Sequence, residues 1–161
     1  MRKAQLWSLD FVMSLLIFLS AMLAVMFAWS NISMNAAETR QLKELQLKAL
    51  TLSDSLVRTG GLPGDWNEGD VVVLGLAQEE NVLNATKVDR FFNLSDSDYG
   101  RARGLLNMGL YDFLFEISDM NGTVFRNTSV PIGADAEVIV PVERYCLLGD
   151  RIVKVRLTIW G

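Results

Sequence analysis

Histidine is absent from the 161-residue chain, and cysteine occurs once, at Cys146. The first absence removes the commonest general base and the commonest metal ligand. The second excludes an internal disulfide and any zinc site built from several cysteines. Inside the apolar run from Val140 to Leu148, Cys146 is expected to be a small buried residue. Basic charge is also scarce, with 15 Lys+Arg against 19 Asp+Glu. That balance argues against nucleic acid as a partner, because non-specific binding needs a basic footprint. Carboxylates gather at Glu79-Glu80 and at Asp96 and Asp98, but no base, phosphate-cradling glycine loop or calcium-loop spacing accompanies them. Neither a cofactor, a metal nor an enzymatic role is expected. Glycine and proline are missing from residues 1–59, so no helix-breaking signal occurs before Gly60-Gly61 and Pro63.

What the chain does contain is an apolar run, Phe11 to Trp29, of 19 residues without a charge. As a helix it reaches roughly 28 Å, close to one hydrocarbon core. A buried core helix is the alternative, but the rest of the chain is too small to enclose so apolar a segment. Arg2 and Lys3 precede the run and no basic residue follows before Arg40. The positive-inside rule therefore places the N-terminus in the cytoplasm and the bulk outside a cell membrane crossed once. A cleavable secretory signal, cut after Ser30, competes with this reading. Against it, the run exceeds the usual core of roughly 7–15 residues. Five Asn-x-Ser/Thr sequons, at Asn31, Asn84, Asn93, Asn121 and Asn127, fall on the outer side and favour a glycosylated surface protein. Asn84 and Asn121 are the best placed; Asn31 adjoins the membrane.

Beyond Asn31 the pattern turns amphipathic. Leu42, Leu45, Ala49, Leu52 and Leu56 form one helical stripe, which Leu47, Leu50 and Val57 widen to the breadth a helix on a sheet needs. Residues 60–161 then read as an outer α+β domain. A buried strand is expected at Val71 to Leu76 and short helices at Asn84 to Asn93 and Ser95 to Asn107. The second helix would be capped by Ser95 with Asp98. Alternation from Tyr111 to Ile117 gives a half-buried strand, and Asp119-Met120-Asn121-Gly122 turns it into a partner at Thr123 to Thr128. A strand over Glu137 to Leu148, with Pro141 at an edge or bulge, turns at Gly149-Asp150 into Arg151 to Trp160. The expected architecture is α+β: a long N-terminal helix on a small antiparallel sheet of four or five strands.

The start of the chain carries a more particular signature. A basic leader ends in Lys3-Ala4, then Gln5-Leu6-Trp7-Ser8-Leu9-Asp10 leads into the apolar helix. With the amphipathic continuation and sheet domain, this resembles archaeal type IV pilins and pilin-like proteins with class III signal peptides. Many such proteins continue Gln-x-Ser-x-Glu; this chain keeps the Gln, the Ser and an acid, with one extra residue and Asp in place of Glu. The resemblance implies a leader of residues 1–4 removed at Lys3-Ala4-Gln5 by a prepilin peptidase. It implies a helix over residues 5–30 that lies in membrane lipid before assembly and in a filament core afterwards, continued by the amphipathic helix over 31–59. It also implies a pilus assembly platform as partner, self-association through the N-terminal helix, and a register role for Asp10 against a neighbour's free amine. The alternative for Asp10 is an interfacial acid beside Arg2 and Lys3. The function expected is a major or minor subunit of an adhesive surface filament. Two alternatives stay open: an anchored surface protein whose outer domain binds a ligand without polymerising, and an accessory or priming subunit of a secretion- or archaellum-like machine.

Overall fold

The computed structural model describes the chain from Arg2 to Gly161, with the side chains of residues 2–9, 32–39 and 41 outside the description. Helix α1 covers Arg2–Arg58. Strands β1 (Ala77–Glu79) and β2 (Val82–Leu83), helices α2 (Ala85–Ser97) and α3 (Tyr99–Leu105), and strands β3 (Asp112–Ser118), β4 (Val124–Asn127), β5 (Ile139–Leu148) and β6 (Arg151–Trp160) follow. The chain divides into two compact units, Met1–Lys43 and Glu44–Gly161. The fold class is α+β.

In the second unit, α1 contributes Leu45, Ala49, Leu56 and Val57 to the core, with Leu52 packed against it. Leu47 and Leu50 do not join them and are 66% and 42% exposed, contrary to the wider apolar face expected. Leu47 stands two residues from both Leu45 and Ala49, about 200° around the helix from each. Its apolar character could not turn it inward.

The end of α1 is closed by the chain that follows. The Leu56 carbonyl accepts from Leu76 N at 2.8 Å and the Val57 carbonyl from Asn81 N at 3.0 Å. The buried Lys87 ammonium donates to Gly60 O at 2.8 Å and to Ala77 O at 3.3 Å. Helix ends need such partners, because the last carbonyls have no donor within the helix.

The strand expected at Val71 to Leu76 is instead a loop. Val71, Leu74 and Leu76 are buried while Val72 and Val73 face solvent, and only Leu62 bridges Val73. Its centre is Trp66, fully buried, whose indole N–H donates to Gly75 O at 2.9 Å. A side chain at Gly75 would overlap the Gly61 nitrogen and the Thr59 carbonyl. The apolar run thus wraps a tryptophan rather than pairing in a ladder.

The sheet has six strands in the order β1-β2-β5-β6-β3-β4. It is mixed rather than antiparallel, because β2 runs parallel to β5 through Val82↔Leu147 and Leu83↔Leu148. The hairpins arise where the turn residues place them. Gly149 adopts φ +60° between β5 and β6, and Asp119 Oδ1 accepts from Asn121 N and Thr123 N at 2.9 and 2.7 Å before β4. In β3 the alternation buries Phe113, Phe115 and Ile117. These meet Phe91 and Phe92 of α2, with the Phe91 and Phe115 rings 5.1 Å apart edge to face.

The break between α2 and α3 falls at Asp98, not at Ser95. Asp98 Oδ1 accepts from Arg101 N at 2.9 Å and caps α3. Ser95 is buried inside α2, and its hydroxyl is without a hydrogen-bond partner. Burial of the Phe91-Phe92-Leu94 face carries α2 past the residue that reads locally as a cap.

Candidate functional site

Two surfaces stand out, one in each unit, and they are built by different means. In α1 the stretch Asp10–Asn31 is long and apolar enough to cross a membrane, a property a signal sequence shares. Phe11 to Trp29 present their large side chains outward all round, from Phe11 through Phe18 and Met22 to Phe27 and Trp29. Polar groups in the stretch turn back on the helix: Ser20 Oγ donates to Ile17 O at 2.8 Å and Asn31 Nδ2 to Phe27 O at 3.0 Å. A helix suits an apolar solvent because its backbone bonds are satisfied within the segment. Asp10 begins the stretch and is exposed. The side chains of Lys3, Ala4 and Gln5, expected at the processing site, lie outside the described residues.

The sequons scatter across distinct environments. Asn84 is the N-cap of α2, its side chain accepting from Lys87 N at 3.2 Å. Asn93 lies on the exposed face of α2, with Arg126 Nη2 at 3.4 Å from its Oδ1. Asn121 is exposed in the β3–β4 turn, and Asn127 is exposed at the end of β4. Asn31 is exposed at the end of the apolar stretch. Asn93 and Asn127 flank Arg126, which also pairs with Asp89 and lies over the Phe92 ring. The structure therefore places these two asparagines close together on the second unit.

The second surface is the outer face and the edges of the sheet. Register brings Glu116, Arg156 and Glu143 side by side across β3, β6 and β5. Arg156 donates to Glu143 Oε1 through Nε at 2.9 Å and Nη2 at 2.6 Å, and Lys154 Nζ lies 3.5 Å from the same oxygen. The Arg156 hydrogen bond holds the Glu143 carboxyl below its usual range. Reciprocally, the Glu143 bond pushes Arg156 up. This ladder is charge-balanced, and beside it an open groove of about 400 Å³ is lined by Leu114, Ile132, Ile139 and Pro141.

Sheet edges need management because they offer unpaired N–H and C=O groups to any passing strand. Three of the edges here are managed. At the start of β3, the Tyr99 hydroxyl accepts from Phe113 N at 2.8 Å and donates to Phe113 O at 3.1 Å. Further along, Thr128 Oγ1 accepts from Phe115 N at 3.1 Å. β4 is broken by a register shift between its partners Ile117 and Ser118, and β1 is irregular between Ala77 and Glu79. β5 is different: β2 covers only Leu147 and Leu148, and among the described residues Ile139 to Cys146 have no strand beyond them. Pro141 therefore does sit at an edge, and without a bulge. Of the two alternatives that Pro141 offered in the sequence, an edge or a bulge, the structure takes the edge.

No protein-family model, curated protein or solved structure matches the chain.

Proposed function

We propose that this chain is a non-enzymatic, pilin-like structural subunit of a cell-surface filament. Its apolar helix would be held in membrane lipid before assembly and in the filament core after it. The observation that carries the reading is the double character of α1: Asp10–Asn31 is apolar with its side chains outward, and Leu45, Ala49, Leu56 and Val57 belong to the core of the second compact unit. A separate anchor appended by a linker would not share a helix with the domain it carries. The leader pattern at Lys3-Ala4-Gln5 supports processing, and Asp10 at the start of the apolar stretch supports a register role. A carboxylate is costly beside lipid alone and tolerable beside a neighbour's amine. Exposed sequons at Asn93, Asn121 and Asn127 suit glycosylation on the outer side.

The test is assembly in cells carrying Asp10→Ala. Membrane insertion should be unchanged and filaments containing the chain should disappear from electron micrographs. Normal filaments from this variant would remove the register role of Asp10.

A further inference from the structure

The open edge of β5 has a defined pattern of donors and acceptors. Leu147 N donates to Asn81 O at 2.8 Å, on the side away from β6. Backbone groups along a strand alternate between its two sides, so Ile139, Pro141, Glu143 and Tyr145 share that outward direction. Pro141 is the one residue there without an N–H to offer. The outward carbonyl of Glu143 is already engaged, by Arg144 Nη1 at 3.2 Å.

We propose that the β5 edge pairs with the β5 edge of a second copy, antiparallel and centred on Val142, giving a two-fold dimer with one continuous sheet. In this register Ile139 stands opposite Tyr145 of the second copy, and the two exchange both backbone hydrogen bonds. Pro141 stands opposite Glu143 of the second copy, whose N–H donates to the Pro141 carbonyl. The only outward carbonyl left facing no donor is that of Glu143, and it is the one that Arg144 satisfies within its own chain. A pairing centred on Arg144 would engage only Glu143 and Tyr145, and would set Arg144 against its own copy.

The side chains fit the same register. Ile139 and Tyr145 are 48% and 58% exposed on the outer face and would cover one another. Aliphatic–aromatic cross-strand pairs are among the favourable ones. On the other face Val142 meets Val142. There a groove of about 320 Å³, lined by Gln46, Leu50, Val140 and Val142, would receive the second copy's backbone. The pairing involves the sheet edge alone, and it stands whether or not the proposed filament forms.

The test uses the full-length chain in detergent micelles. Ile139→Cys and Tyr145→Cys chains are oxidised gently, each alone and then mixed. A covalent dimer should form in the mixture and not in either chain alone, because like positions in the pair lie six residues of strand apart, roughly 20 Å. No dimer in the mixture, or equal dimer in all three samples, overturns the proposal. Tyr145→Pro provides an independent arm, since it removes the outward N–H and the Tyr145 side chain, both used in the pairing, and takes no hydrogen bond from the β5–β6 ladder. It should keep the circular dichroism of the parent and lose the dimer in sedimentation; a folded variant that still dimerises contradicts the pairing. Neither result bears on Asp10 or on filament assembly.

Discussion

Tyr99 closes the end of β3 with one hydroxyl, which both accepts from and donates to the Phe113 backbone. Its ring also stacks on Phe113 at 5.0 Å between centroids. Tyr99→Phe keeps the ring and removes both bonds, so unfolding free energy should fall by about 1–3 kcal/mol in a denaturant titration. Burial pushes the Tyr99 hydroxyl from 10.0 up to about 12. The folded protein therefore keeps this proton where the unfolded chain releases it. The contribution is intact below pH 10 and is lost as pH rises from 10.0 to about 12. Tyr99→Phe should flatten that alkaline decline, and an unchanged decline would assign it to other groups. Cys146 behaves as the sequence suggests: it is buried, and burial pushes its thiol up to about 11. Ser95 shows the limit of local reading. Its small hydroxyl and the acid three residues on look like a cap, but the core claims its face of α2.

At the scale of elements, periodicity proved most legible where one face alone is buried. β3 alternates cleanly because solvent and core lie on opposite sides, and the turns at Asp119–Gly122 and Gly149-Asp150 carry residues that tolerate their backbone. The Val71–Leu76 run was not legible as a loop, because its order depends on Trp66, which precedes the run and bonds to Gly75 within it. The parallel contact of β2 with β5 was equally hidden, since it joins two residues to a strand more than sixty positions on. For α1 the stripe was legible from Leu45 to Leu56; its expected start, Leu42, is exposed, and its width was not legible. Leu56→Ala should cost about 2–5 kcal/mol, whereas Leu47→Ala on the exposed side should change stability by less than about 0.5 kcal/mol. Equal losses in thermal or denaturant unfolding would contradict the burial assigned to the helix. In the β5–β6 ladder, Arg156 depresses the Glu143 carboxyl. This contribution is present above the ordinary carboxylate range and is lost as pH falls through the depressed folded value. Glu143→Gln should make the acid limb of the stability profile shallower, by the small amount an exposed ion pair allows.

For the whole molecule, two surfaces of different chemistry have to be accounted for: an apolar helix suited to lipid or to other helices, and a sheet edge left open where the others are closed. The candidate site was legible in the sequence as far as the apolar run, because length and the absence of charge act locally. The edge was legible only as one of the two alternatives offered by Pro141, because the strand order alone shows which strand lacks a neighbour. Filament assembly as proposed begins with release of the leader, so the mature N-terminus is the quantity closest to the central claim. Mass spectrometry of the native protein from its own cells should find a chain that begins at Gln5 or Leu6. A native chain that still begins at Met1 would contradict the filament account and leave α1 as a permanent anchor.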